Sequence, residues 1–336
     1  MNRSLFDHLL TLSDDIGLFE HADHAVARRE HGYCTDDVAR LLIVFAREPD
    51  PDRAVRGLGR MALRFLADAQ GVDGKIRNRR MATGGWNEPH TVEDCWGRSV
   101  WAFGIAARQA PETWMRRRAL GHFDRGIQQR SPWPRSMAFA ALGAAEVLTM
   151  DPTHDRARLL LVDAVATIGH PSKDPDWPWP EPRRTYANAS LAEALLAAGD
   201  LLDQSDIVDD GITMLRWLLR RETVDTHLSP TPVGGAGPGD SAPAFDQQPI
   251  EVAAMADACH RAYSVTGDAE WLTGLDMAAR WFAGDNDAAA QMWDPATNGG
   301  YDGLHASGPN LNQGAESTLA LVSTLQQARH LSSTGS

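Results

Sequence analysis

An all-α fold of six helical hairpins closed into a ring, the (α/α)6 toroid, is what the sequence predicts, and three observations carry the prediction. Apolar residues recur at i, i+3, i+4 and i+7 from end to end, and almost nothing alternates with period two. The helical segments fall into pairs, one member rich in Ala, Leu and Gly, the other with an apolar stripe opposite a charged face. Six small-residue members alternate with six amphipathic ones, the pattern of an inner ring wrapped by an outer ring.

In chain order, an amphipathic segment at roughly 3–20 comes first, followed by the first inner helix, TDDVARLLIVFA, at 35–46. The next inner helices are expected at 91–107, 131–148, 185–202, 247–265 and 312–328, with outer helices at 51–69, 111–129, 154–168, 205–221 and 268–283. Inner-helix starts lie about 40 to about 65 residues apart, too irregular for a solenoid but natural for a closed ring with unequal functional loops. The Pro/Gly/Ser-rich stretch 229–249 has a linker's composition. Helical pairing resumes in step beyond it, so it is expected to be a long loop over the mouth of one domain, 1–330, with a flexible tail at 331–336.

The chain has 336 residues, 45 acidic and 32 basic, for a formal charge of −13. That balance argues against nucleic acid as the principal partner, because phosphate neutralisation needs excess Lys and Arg. Its 43% apolar content is ample for a large core. Acidic residues interrupt the N-terminal segment where a secretory signal would be apolar, and no run approaches the ~18 apolar residues of a membrane span. A soluble, cytoplasmic protein with no membrane partner is the expectation. Cys34, Cys95 and Cys259 are sparse, odd in number and without a C-x-x-C pair, which fits reduced thiols better than disulfides or zinc.

Polar residues gather at the N-terminal ends of the inner helices. Asp36 and Asp37 open the first, Glu93 and Asp94 the second, Arg135 the third, Tyr186 and Asn188 the fourth, Gln248 and Glu251 the fifth, and Asn312, Gln313 and Glu316 the sixth. In a ring of inner helices running the same way, these ends meet at one face. Acidic residues in a first turn also complement the macrodipole and satisfy free N–H groups, so capping competes with catalysis for each. Asp36 with Arg40 and Asp94 with Arg98 have the i,i+4 spacing of helix-steadying pairs, yet an arginine on a buried helix must be paired or face a wet cavity.

The preceding loops repeat aromatic residues beside Gly, Asn or Asp: His31-Gly32-Tyr33, Gly85-Trp86-Asn87, Pro132-Trp133-Pro134, the 176–181 segment with Trp177, Trp179 and Glu181, and Tyr301-Asp302-Gly303. Flat aromatic faces stack on the C–H faces of sugars while carboxylates and amides hold hydroxyls, so this composition suits a carbohydrate site. Such Trp-Pro segments serve equally well as structural plugs.

The motifs HGYCTDDVAR (31–40), EDCWGRSVWAFG (93–104), WPWPEPRRTYANASLAEALLAAG (177–199) and GGYDGL with NQGAESTLA (299–320) together resemble a family of bacterial (α/α)6 proteins of the six-hairpin glycosidase type. Its members are labelled glycosyltransferases or glycosidases and occur with enzymes of mannoside and other oligosaccharide metabolism. The resemblance spans residues 20–328 and implies the toroid and a sugar substrate. The wider group includes inverting glycoside hydrolases, unsaturated glucuronyl hydrolases and sugar 2-epimerases, so it fixes a substrate class better than a reaction. Its epimerase-like members use ring histidines, whereas the nearest histidines here, His31 and His90, precede the helix starts. No Gly-rich strand-to-helix turn and no D-x-D strand supports a nucleotide-sugar transferase.

Glycoside hydrolysis needs one protonated and one ionised carboxyl group. Asp94, Glu251, Asp37 and Glu316 are the candidates: Asp94 as acid, beside Trp96 and Trp101; Glu251 as base; Asp37 and Glu316 as hydroxyl ligands either of which can replace the base. Substrate contacts are expected from Tyr33, Asp36, Trp86, Glu93, Trp96, Arg98, Arg135, Trp179, Glu181, Tyr186, Asn188, Gln248, Asp302 and Asn312. The resemblance implies inversion, with carboxyl groups about 6.5–9.5 Å apart. Neither a metal nor an organic cofactor is required, since nothing near Asp36, Asp37 and Asp302 has the spacing of a calcium loop. A neutral oligosaccharide, mannoside- or arabinoside-like, is the expected substrate. An epimerase or isomerase, a phosphorylase with an anion pocket at Arg98 and Arg135, and a non-catalytic sugar-binding toroid remain open.

Overall fold

A computed structural model describes residues 4–333, with side chains as far as Arg329. It divides into two compact units, Met1–Ile168 and Gly169–Ser336. The first holds α1 (Asp7–Thr11), α2 (Thr35–Arg47), α3 (Arg53–Ala69), α4 (Asp94–Gln109), α5 (Thr113–Gly126), α6 (Pro134–Met150) and α7 (Asp155–Ile168). The second holds α8 (Asn188–Leu201), α9 (Ser205–Arg221), α10 (Pro249–Thr266), α11 (Glu270–Phe282) and α12 (Ala315–Ser333).

The two helix types differ in burial as their compositions require. In the first unit α4 is buried continuously from Cys95 to Ala107 and α6 from Arg135 to Leu148, whereas α5 buries only Met115, Ala119, Phe123 and Gly126. Those four lie three or four residues apart, the single stripe of an outer helix. Small residues let α4 and α6 approach closely. A Cβ on Gly97 would meet the Ser136 carbonyl oxygen at 2.2 Å, and one on Gly143 would meet that of Val100 at 2.4 Å. In the second unit α8 is buried from Asn188 to Gly199, and a Cβ on Gly199 would fall 2.6 Å from the Val208 amide of α9.

The expected amphipathic helix at roughly 3–20 is reduced to the five residues of α1. Asp14 ends it by turning its carboxylate onto the Ile16 and Gly17 amides, at 2.8 and 3.1 Å. The expected tail at 331–336 is helical as far as Ser333, and residues 334–336 lie outside the described residues. Short antiparallel hairpins fill several loops. A long-range antiparallel pair matters for the site: β1 (Tyr33–Cys34) with β2 (Arg79–Arg80), Cys34 opposite Arg79, with α2 and α3 between them in the chain. Among the described residues no helix is long and apolar enough to cross a membrane.

Candidate functional site

In the first unit β1, paired with β2 from beyond α3, delivers the chain into α2. Thr35 donates through N to the Asn78 carbonyl at 2.9 Å and through Oγ1 to the Arg77 carbonyl at 2.7 Å, which fixes the helix start. The two acids of that turn then diverge. Asp37 is buried and accepts from Arg40 Nη1 at 2.6 Å, an i,i+3 pair on its own helix. Asp36 faces α4, its Oδ1 lying 3.4 Å from Arg98 Nε. Arg98 is itself buried, with its guanidinium carbon 3.9 Å from the Phe139 ring centroid of α6.

The expected i,i+4 pairs are therefore not the ones formed. Arg40 takes Asp37, and Arg98 bridges to another helix, leaving Asp94 to accept a 2.8 Å hydrogen bond from Ser136 Oγ at the start of α6. First turns of three helices thus converge on Asp36, Asp94 and Arg98. Burial pushes the Asp36 carboxyl above the usual carboxylate range; Arg98 and Arg40 oppose the shift, and the negative charge of Asp94 adds to it. Glu93 is exposed as the N-cap residue of α4 and makes no side-chain capping bond. Arg135 is buried at the start of α6.

One donor group of metal-binding type occurs among the described residues, Glu20, Cys34 and Asp37, with ligand atoms within 4.8 Å of one another. Its charges are already used. Arg79 pairs with Glu20, Arg40 pairs with Asp37, and burial holds the Cys34 thiol well above its ordinary pKa and hence protonated.

In the second unit Ala187, at the start of α8, sits in the left-handed region with φ 45°, strained for a residue with a Cβ. The Glu251 carboxylate of α10 holds it there. It accepts from Ala187 N at 2.6 Å and from Asn188 N and Nδ2 at 3.4 Å each, while Asn188 Oδ1 accepts from Thr185 N at 3.0 Å. Glu251 thus supplies a cap that α8 lacks in its own sequence. Asp302 does the same for α12, its Oδ1 accepting from Gly314 N at 2.7 Å and Ser317 Oγ at 2.9 Å. Glu316, Asn312, Gln248 and Glu181 are partly exposed, and Tyr186 is 46% exposed.

Three aromatic expectations are corrected by burial. Tyr33 is covered, stacked on Phe19 with its hydroxyl donating to Asp14 at 2.7 Å. Trp96 is fully buried with Nε1 on the Gly126 carbonyl at 3.1 Å, and Trp179 is buried against Trp217, ring centroids 5.7 Å apart. None of the three offers a face to a sugar. Trp86 is half-buried, its Nε1 on Asp68 at 3.1 Å. Trp133 offers an open ring in the first unit, 57% exposed immediately before α6. Its flanking prolines were the signal in the sequence. Ser136 was missed altogether, since a serine in a helix's first turn says nothing of a partner on another helix.

No protein-family model and no curated protein sequence matches this chain. Solved structures do. A sugar epimerase from a ruminal bacterium superposes with TM-score 0.72 at 10% identity, covering 98% of this chain and 96% of its own. Cellobiose 2-epimerase from Spirochaeta thermophila DSM 6192 gives 0.72 at 12% identity, over 99% of this chain and 96% of its own. A GH76 α-mannanase from Bacteroides thetaiotaomicron gives 0.66 at 10% identity, over 98% and 94%. The fold is the (α/α)6 toroid. Similar solved structures also include a D-mannose isomerase and an α-amylase from Clostridium perfringens.

Proposed function

We propose that this toroid is a sugar-processing enzyme and, more narrowly, a glycoside hydrolase acting on a neutral oligosaccharide. The observation that carries the reading is the Asp36–Asp94 pair, two carboxyl groups from neighbouring helix starts with unlike surroundings. Asp36 is desolvated and holds its proton to higher pH, whereas Asp94 is fixed by the Ser136 hydroxyl at 2.8 Å. Hydrolysis needs such an unequal pair, one group to protonate the leaving oxygen and one to activate water or attack the anomeric carbon. Asp36 takes the acid role that sequence reasoning assigned to Asp94, and Asp94 becomes the second carboxylate. Trp133, just before α6 in the same unit, supplies an exposed ring for stacking, and no metal or organic cofactor enters the scheme.

Epimerisation is the second reading, favoured by the epimerase and isomerase structures this chain superposes on. The residues weigh against it, because no first turn of α2, α4, α6, α8, α10 or α12 carries a histidine to move a proton at carbon. A single experiment separates the two. Purified protein is incubated with aryl glycosides and oligosaccharides, mannosides and arabinosides included, and separately with cellobiose, mannose and glucose. Released reducing sugar is expected, falling about 10²- to 10⁴-fold in Asp36→Asn and Asp94→Asn. Interconversion of the free sugars without bond cleavage, or hydrolysis indifferent to both substitutions, overturns the assignment.

A further inference from the structure

Beneath the long loop of the second unit lies a cavity of about 370 Å³ that none of the residues discussed above lines. Its wall includes Arg184, Arg221, Ser229 and Ser241, with loop backbone around Gly235 and Gly239. Arg184 is only 5% exposed, and its backbone is locked to the loop by reciprocal bonds with Ala236 at 2.8 and 3.0 Å. A guanidinium carries five N–H donors. Here one of them is used, Nη1 to Glu222 Oε1 at 3.3 Å, and the buried Nε has no acceptor.

Glu222 cannot fill the gap. Its Oε1 already accepts from the Thr231 amide at 3.1 Å and from the Thr231 hydroxyl, and burial raises its own pKa. Arg221 spends one terminal nitrogen on the Asp240 and Pro238 carbonyls, and the Asp240 carboxylate turns away toward the Gly237 amide at 2.7 Å and Arg183 at 3.7 Å. Two guanidiniums and two serine hydroxyls therefore border one space, beside an Asp240 carboxylate engaged by Gly237 and Arg183. Leaving buried donors unmet costs about 1–3 kcal/mol each, so an acceptor belongs there.

We infer that this cavity binds a phosphate group, carried on a small sugar-sized body or free. Two arginines and hydroxyls from separate loop positions suit a group with three terminal oxygens better than the planar pair of a carboxylate. The volume exceeds that of a bare phosphate and reaches the lower end of small-ligand pockets, about 300–1,000 Å³. The site uses neither Asp36 nor Asp94, so its existence does not depend on the reaction proposed above.

Calorimetric titration of the full chain with inorganic phosphate, glucose 6-phosphate, glucuronate and glucose tests this. Glucose 6-phosphate is expected to bind, with glucose at least tenfold weaker; phosphate binding alone would identify the free ion as the ligand. Arg221→Gln and Ser241→Asp should each weaken the phosphate ligand at least tenfold while leaving the melting temperature unchanged. Arg221 is the last residue of α9 and Ser241 lies on the loop, and neither substitution removes the buried Arg184–Glu222 pair. Failure of every phosphate ligand to bind at 10 mM overturns the inference. So does glucuronate or glucose binding as well as glucose 6-phosphate, or phosphate binding that survives both substitutions.

Discussion

Asp36 concentrates the conflict between stability and chemistry at a single residue. An ordinary Asp titrates near about 3.9 in the unfolded chain, and in the folded protein burial raises that value. The native state then holds its proton more tightly than the unfolded state over the interval between the two values. Stability must fall as pH climbs through that interval and stay lowered above it. Replacing the group by Asn removes the titration while nearly preserving shape. Asp36→Asn is accordingly expected to melt no lower than the native protein at pH 7, and higher if Arg98 tolerates a neutral partner, with the difference shrinking toward pH 4. Thermal melts across that range, read beside kcat, check it; a clear loss of melting temperature at pH 7 would show that the Arg98 pair outweighs desolvation. The location of this acid at a helix start was legible in the sequence. Its partner was not, because spacing along a chain reports neighbours on one helix, and Arg98 chose an acid on another.

Between helices, the start of α8 depends on a residue 64 positions later in the chain. Ala187 has no side-chain acceptor to offer, and its left-handed backbone costs about 1–3 kcal/mol unless something holds it. Glu251 holds it through the Ala187 and Asn188 amides, which also sets the exposed Tyr186 ring just before them. Glu251 acts as a positioning residue in this reading. Glu251→Gln keeps the carbonyl acceptor and should cost about 0.5–1 kcal/mol, whereas Glu251→Ala should cost about 2 kcal/mol or more. Denaturant unfolding of the two variants checks this, and a Glu251→Ala cost below about 0.5 kcal/mol would show that Ala187 is held by other contacts. The inner helices themselves were readable from their Ala, Leu and Gly content. Which tryptophans remained open was not, since Trp96 and Trp133 stand in similar polar sequence while Trp96 of α4 is buried against the end of α5 and Trp133 precedes α6 in the open.

For the molecule as a whole, a formal charge of −13 sets which substrates approach. The two arginines nearest the acids of the first unit give no relief, since Arg40 is committed to Asp37 and Arg98 to Asp36. A uronide carboxylate arriving there meets a surplus of acids with no uncommitted cation shown beside them, while a neutral glycoside meets only hydrogen-bonding groups and exposed rings. The phosphate pocket at Arg184 is a local exception, bordered by its own loop. For matched aryl glycosides, kcat/KM on the neutral sugar is therefore expected to exceed that on the glucuronide by about 100-fold at low salt. Raising ionic strength from about 0.01 M to about 0.5 M shortens the Debye length from about 30 Å to a few ångström, which should narrow that gap while leaving the neutral sugar's rate almost unchanged. A glucuronide processed faster than its neutral counterpart at low salt would mean that Arg98 abandons Asp36 for substrate, and the acids of α2 and α4 would then need a different assignment.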